Sequence, residues 1–384
     1  MKILHVASFS GNIGDNANHF GFRKMLGQYF QTEIEYTELE IREFYQLWNL
    51  RNFNSPEFID CCNQHDLVVI GGGNFFELKW DYSYTGTTID LSIETLENIK
   101  TPIFFNALGC DVEKGTSPET ISKFKHFMDY ITNSPRCFVS FRNDGSIATL
   151  TGLYGDRYNE KIHSVADGAF FFKGNNEKYN NFFDNKKFIG INIVSDMQDV
   201  RFKNIDYDHF IKEFARFIDE LLGKYKNYQV MFFPHIYSDL RAINAVLEKI
   251  DNVNLRTRVM VAPYLIGEGS ESFVFNMYSK CDLIIGMRFH TNVCAIARNL
   301  PTIGLSSYKK ITYLYDELGL SDRVIDVDNQ NYVEKLLNMI EATMSSLVDV
   351  RIRYENLNRE LSLKNSEYFR GIVCWYEGLE KHKR

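Results

Sequence analysis

Arg288 and His290 stand two residues apart in the run CDLIIGMRFHTNVCAIARNLPTIGL, residues 281–305. Leu283, Ile284 and Ile285 read as a short strand buried on both faces, and Gly286 ends it. Val293, Ala295, Ile296 and Ala297 then recur at helical spacing until Pro301 forces a new extended segment over 302–305. The spacing predicts a β-turn-α-β unit with both side chains in its first turn. That turn joins the carboxyl end of a parallel strand to a helix amino terminus, where open α/β sheets bind ligands and helix dipoles favour anions. A cation there gains nothing from the dipole unless an anion accompanies it. A guanidinium can grip a carboxylate or phosphate with two parallel hydrogen bonds, and an imidazole can move a proton at neutral pH.

Elements must carry these side chains to one place. In the first half the pattern predicts strands at 2–7, 66–70, 103–107, 137–141 and 162–165, with helices at about 16–30, 117–132 and 145–152. A polar stretch, FKGNNEKYNNFFDNKK at 172–187, reads as a linker, and the alternation then restarts. Strands follow at 188–193, 229–233 and 259–261, with helices at 207–225, 242–250 and 271–280, and helix is expected after Asp326 to the end. Strands alternating with helices imply α/β, with two doubly wound, mainly parallel Rossmann-like domains. We place them at 1–175 and 188–384, with the last helix packing back on the first domain. Two such sheets facing each other make a cleft lined by the loops at their carboxyl ends.

Those loops hold the other candidates. GNIGD (11–15) is not the dinucleotide GxGxxG; it suits gripping hydroxyls or a carboxylate through Asn12 and backbone amides at Gly14, or is a tight turn with Asp15 as N-cap. Gly71-Gly72-Gly73, followed by Asn74, lets the backbone approach a ligand or another chain segment. Arg142, in SFRNDGS (140–146), suits an anion or forms a surface ion pair with Asp144. His235, after Pro234, is a base or a packing histidine, and Tyr308 can stack on a sugar. ADGA (166–169) and the Ser-Asp pair at 195–196 lie at strand ends too.

Composition narrows the classes. A chain of 384 residues implies two domains, and 45% hydrophobic with 24% charged residues is ordinary for a folded soluble protein. A net charge of −7 argues against nucleic acid as the main partner. No apolar run approaches the ~18 residues of a spanning helix, and MKILHVASFSGNIGD is too short in apolar residues for a signal peptide. Seven scattered cysteines without a C-x-x-C pair suggest a reducing compartment, and no clustered ligands suggest a metal. The expected location is cytoplasmic, with peripheral association at the inner membrane left open.

Taken together, GNIGDNA (11–17), the strand with GGG (67–73), SFRNDGS, VADGAFF (165–171), FFPHIYSD (232–239) and above all CDLIIGMRFHTNVCAIARNLPTIGLSSYKK (281–310) resemble the polysaccharide pyruvyl transferase family over nearly the whole chain. Asn16 and Asn74, and Asn143 between Arg142 and Asp144, depart from the family pattern, which bears on the acceptor more than on the chemistry. The resemblance implies a GT-B-like fold and transfer of the enolpyruvyl carbons of phosphoenolpyruvate onto two sugar hydroxyls, giving a pyruvate ketal and phosphate. It implies a nucleotide- or lipid-linked saccharide acceptor and a substrate-binding Tyr308-Lys309 loop, with phosphoenolpyruvate as co-substrate and no further cofactor. His290, Arg288 and Arg142 are then the catalytic candidates, with His235 or Asp15 as the base that relieves the attacking hydroxyl. Asn12, Gly14, Asp15, Gly72, Gly73, Asn74, His235, Tyr308 and Lys309 line the substrates. Two rivals share the architecture: a glycosyltransferase using a nucleotide sugar, and a non-catalytic sugar-binding protein of polysaccharide assembly. A nicotinamide oxidoreductase is disfavoured by the missing fingerprint glycines.

Overall fold

The structure is a computed structural model that describes residues 1–9, 12–45, 49–172, 183 and 185–381. The chain divides into two compact units, one of Met1–Ser10, Phe22–Gly168 and Leu361–Arg384, the other of Gly11–Gly21 and Ala169–Glu360. The linker expected at 172–187 falls mostly outside the described residues. The sequence boundaries left residues 11–21 in the first domain, yet they group with the second. The reason is close packing: Gly14 lies against His290, and the Phe20 ring meets the Phe172 ring edge-on at 5.4 Å.

The first unit carries β1 (Lys2–Ala7), β2 (Glu35–Glu40), β3 (Leu67–Gly71), β4 (Phe76–Glu77), β5 (Ile103–Leu108), β6 (Cys110–Asp111), β7 (Cys137–Arg142) and β8 (His163–Val165). Its six-stranded parallel sheet has the order β2-β1-β3-β5-β7-β8, and β4 pairs separately with β6. Runs such as LVVIG and IFFNAL are buried throughout, as strands covered by helices on both faces must be. β2, EYTELE, was not expected: it is a polar edge strand, largely exposed, and carries no apolar run. Helix starts follow capping chemistry, as at Pro118–Ile131, where Ser117 caps and Pro118 takes the first position. Tyr368 and Phe369 from the C-terminal helix join the core of this unit, and the Tyr368 hydroxyl lies 2.8 Å from Ser140 Oγ.

The second unit carries β9 (Lys187–Asn192), β10 (Tyr228–Phe232), β11 (Val259–Val261), β12 (Cys281–Gly286), β13 (Thr302–Ser306) and β14 (Val324–Asp326), parallel in the order β11-β10-β9-β12-β13-β14. β14 was not expected; it is three residues long and sits at the edge. The amphipathic helix Tyr207–Lys224 buries Phe210, Phe214, Phe217, Ile218 and Leu221 against this sheet's core. Both units are thus doubly wound, and in both the loops after the central strands carry the polar side chains.

Candidate active site

In the second unit the opening motif folds as expected. β12 ends at Gly286, and the helix Phe289–Ile296 begins directly after Arg288. A Cβ at Gly286 would lie 2.7 Å from Thr291 Cγ2, so glycine lets the helix start fold back on the strand end.

Arg288 is gripped. Its Nε donates to both Asp239 oxygens at 2.8 and 3.0 Å, and its Nη2 donates to Asp196 Oδ1 at 2.7 Å and to Asp239. Burial pulls the guanidinium toward neutrality, but Asp239 and Asp196 outweigh it and hold the charge firmly. Asn192, at the end of β9, accepts the Arg288 backbone N–H at 2.9 Å and donates to the Phe233 carbonyl. Asp239 itself is fully buried and also accepts the N–H groups of His235 and Ile236. Among the described residues, Arg288 Nη1 has no hydrogen-bond partner in the protein, and the side chain remains 11% exposed. One edge of the fork is held and the other is open.

Asp196 also faces Arg201, whose Nη2 lies 3.7 Å away. Burial pulls the Arg201 guanidinium down to about 10, against the opposing pull of Asp196. Met197 takes a left-handed φ of 54° between them, which turns the chain from Asp196 into the short helix Gln198–Arg201. Arg201 sits 5.4 Å from the Tyr308 ring centroid, and Lys310 lies 5.6 Å from the same ring. Tyr308 is therefore a buried ring covered by cations, not the open stacking face expected for a sugar. Lys309 is exposed at the start of the helix Lys309–Glu317.

His290 is 6% exposed, and its Nδ1 lies 3.8 Å from Asp15 Oδ1. Asp15 comes from the first turn of the helix Ile13–Phe30 and accepts from Asn12 Nδ2 at 3.1 Å, while Asn12 Oδ1 takes the Gly14 N–H at 2.9 Å. Asn12, not Asp15, thus does the capping, and the helix starts three residues earlier than expected. A Cβ on Gly14 would stand 2.3 Å from His290 Cβ. Glycine here serves a close approach to the imidazole.

His235 is 1% exposed, with Nε2 2.8 Å from the Tyr278 hydroxyl and Nδ1 buried without a partner. Burial pushes its pKa well below 6.5, and the positive charges of Arg288 and His290 add to the effect. The ring is sealed and packed, so in this structure it does not reach a surface where a base would meet a substrate hydroxyl.

The first unit builds a second arginine clamp. Arg142, at the end of β7, is 2% exposed; its Nε donates to Asp144 Oδ2 at 2.9 Å and its Nη1 to Asp167 Oδ2 at 3.2 Å. Asn143 Oδ1 accepts the Asp167 N–H, which locks the two loops together. The surface ion pair expected with Asp144 is a buried one, and direct contact between Arg142 and an anion is set aside because two carboxylates already enclose the guanidinium. Gly71 and Gly72 likewise answer to the protein: a Cβ on Gly71 would lie 2.1 Å from the Asn106 carbonyl, which accepts the Gly72 N–H at 2.8 Å. Gly73 packs under the Phe75 ring. At Gly71 the triple glycine lets the backbone approach another chain segment. β5 bulges there, with Ala107 at φ 46° and its N–H bound to Ser140 Oγ. The bulge leads into β6, where Asp111 accepts from Asn74 Nδ2 at 3.0 Å.

The polysaccharide pyruvyl transferase family profile matches residues 12–308, from Asn12 to Tyr308. The chain belongs to that family. No curated protein matches it. Among solved structures, this pyruvyl transferase-family chain is similar to a putative UDP-N-acetylglucosamine 2-epimerase from Listeria monocytogenes, at 10% identity, TM-score 0.57, and 96% of each chain covered. It is similar to S. aureus MnaA in complex with UDP at 13% identity and TM-score 0.55, covering 92% of this chain and 90% of the other. A UDP-GlcNAc 2-epimerase from Methanocaldococcus jannaschii aligns at 17% identity and TM-score 0.52, covering 89% and 92%. These likenesses show a two-unit GT-B-like α/β fold. Among the described residues, no helix of the transferase-family chain is long and apolar enough to cross a membrane, and no group of three His, Cys, Asp or Glu side chains is placed to hold a metal ion.

Sequence reasoning marked the loops that carry Asp144, Asp167, Asp196 and Asp239 but not what these carboxylates do. It missed Asn192 and Arg201 altogether. Asn192 ends a buried apolar strand, which was the available signal: a polar side chain there has to be bonded.

Proposed function

We propose that this protein transfers the enolpyruvyl group of phosphoenolpyruvate onto two hydroxyls of a sugar in a surface polysaccharide or its precursor, forming a pyruvate ketal and releasing phosphate. The observation that carries this reading is the meeting of Gly14 and Asp15 with His290, two residues from Arg288. These motifs lie near opposite ends of the family-matched span, and they pack with no room for a side chain at Gly14.

In this reading the open Nη1 edge of Arg288 takes an oxygen of the donor, while Asp239 and Asp196 fix the guanidinium from behind. The two arginines and two aspartates of the cluster balance in charge. The donor's own charge is met by the amino terminus of the helix Phe289–Ile296 and by the exposed Lys309. His290 donates a proton to the methylene carbon, and the alkene electron pair forms the new C–H bond. The neighbouring carbon becomes oxocarbenium-like. One sugar hydroxyl adds to it and loses its proton to the vacated imidazole. The second hydroxyl then displaces phosphate, breaking the bond between that carbon and the phosphate-ester oxygen, and its proton leaves on the departing phosphate. Asp15 orients the ring of His290, and such proton transfer contributes about 10²–10⁴-fold. The sequence calls for no cofactor besides the co-substrate, since fixed cations and helix N–H groups can stabilise the charge that develops.

The test is incubation with phosphoenolpyruvate and a panel of nucleotide- and lipid-linked sugars. Inorganic phosphate and a product heavier by one pyruvate ketal, appearing together, are expected. Turnover of a nucleotide sugar without any response to phosphoenolpyruvate would replace this reading with glycosyl transfer.

A further inference from the structure

The loop after β4, WDYSYTGTTID at 80–90, combines two features. Tyr82 and Tyr84 are 56% and 65% exposed, whereas Ser83, Thr85 and Thr87 between and beyond them are fully buried. The buried hydroxyls bond to one another: Ser83 Oγ lies 3.1 Å from Thr85 Oγ1, which lies 2.9 Å from Thr87 Oγ1 and donates to the Ile89 carbonyl at 2.6 Å. The backbone closes on itself as well, with Trp80 N–H bound to the Gly86 carbonyl and Ser83 N–H to the Trp80 carbonyl. Gly86, at φ 72°, packs so closely that a Cβ there would lie 2.7 Å from the Thr120 carbonyl oxygen, so the turn admits no other residue without displacement. Asp81 is tied down by Ser117 Oγ at 2.8 Å, and Trp80 Nε1 donates to Thr88 Oγ1 at 3.1 Å.

A loop this bonded is a rigid mount. Exposed tyrosines on a flexible loop would need no explanation, but here the scaffold is spent on holding two rings outward. Their faces carry the negative side of the ring quadrupole, which attracts the polarised C–H groups on the apolar face of a pyranose. Stacking there also removes apolar surface from water on both partners. Carboxylates flank the loop: Asp81 is exposed, and Asp90 accepts the Tyr84 N–H at 2.7 Å, which leaves its other oxygen to accept a sugar hydroxyl. The loop leaves the same strand end, after β3 and β4, that carries Asn74. Rigid aromatic pairs of this kind lose little entropy on binding.

We propose that Trp80–Asp90 is a saccharide platform, on which Tyr82 and Tyr84 stack successive pyranose rings of the acceptor chain. The assignment rests on the polysaccharide reading given above and deepens it: the acceptor is held at more than the residue that receives the ketal.

The test is affinity electrophoresis of the full chain through gels holding soluble glucan, galactan, mannan or an N-acetylhexosamine polymer, with phosphoenolpyruvate calorimetry on the same preparations. At least one polymer is expected to retard the wild type. Tyr82→Ala and Tyr84→Ala are each expected to weaken retention about tenfold, the cost of losing one well-placed aromatic contact. Tyr82→Phe is expected to keep most of it, and donor binding is expected to be unchanged in all three. If no polymer retards the wild type, or the alanine variants run as the wild type does, the platform is refuted while donor binding still stands. If a polymer binds but phosphoenolpyruvate does not, the donor reading fails and the platform survives.

Discussion

Arg142 and Arg288 close the same kind of strand and are each held by two aspartates, yet they are not equivalent. Arg142 is 2% exposed, with its Nε and Nη2 on Asp144 and its Nη1 on Asp167. Arg288 turns Nε and Nη2 to its carboxylates and leaves Nη1 without a protein partner among the described residues, with a helix amino terminus beginning at the next residue. The first clamp joins two loops of one sheet. The second aims one edge of a fixed cation outward. Both arginines stand at a strand end; what separates them is whether the carboxylates leave an edge of the guanidinium without a protein partner.

Removing the charge should separate the two most strongly. Arg142→Met leaves Asp144 and Asp167 buried without their cation and is expected to cost about 3–5 kcal/mol in urea unfolding. Arg288→Met is expected to cost less, because Asp239 keeps the backbone N–H groups of His235 and Ile236 and a bond from Asn192. Equal losses would erase the distinction. Next in size, His290→Ala is expected to lower turnover at least ~10²-fold with phosphoenolpyruvate binding retained. A wild-type rate would remove the proton-transfer role.

How far could the sequence go? Periodicity located the buried strands of both sheets, because continuous apolar runs such as LIIG and LVVIG have one comfortable environment. It could not find β2, whose polar residues suit an edge, nor the bulge at Ala107, whose positive φ carries no signature in an alanine. At the site, residue type brought Arg288, His290, Gly14 and Asp15 into view but not their pairing across the chain. Glycine's role was visible as a need for close approach. That the approaching partner at Gly14 is His290, and at Gly71 the Asn106 carbonyl, follows from tertiary packing alone. Ion-pair saturation is equally invisible in sequence, which is why Arg142 looked like a ligand-binding side chain.

Two smaller effects sharpen the comparison on the His290 side. Gly14→Ala forces a methyl onto His290 Cβ, in a helix turn that cannot yield freely. About 1–3 kcal/mol of destabilisation is expected, with a turnover loss that Arg142-side variants of equal stability do not share. An unchanged rate would mean that the contact does not position the imidazole. His235 provides the smallest signal. Its pKa is depressed in the folded state, so below the unfolded value near 6.5 the unfolded chain binds more protons and stability falls as pH drops. His235→Gln is expected to flatten the melting-temperature profile between about pH 5 and 6.5 and to leave it unchanged above. A profile of the same slope would show that the buried ring does not titrate on unfolding.

Calorimetric titration of phosphoenolpyruvate into the wild type and Arg288→Gln, with His290→Gln as the folded control, tests the account most directly. Binding by the wild type and by His290→Gln, with at least about a hundredfold loss in Arg288→Gln, is what an outward-facing guanidinium edge requires, given that truncating one partner of a charge-paired contact typically costs 2–5 kcal/mol. Equal affinity in Arg288→Gln, or no binding by the wild type, would contradict it.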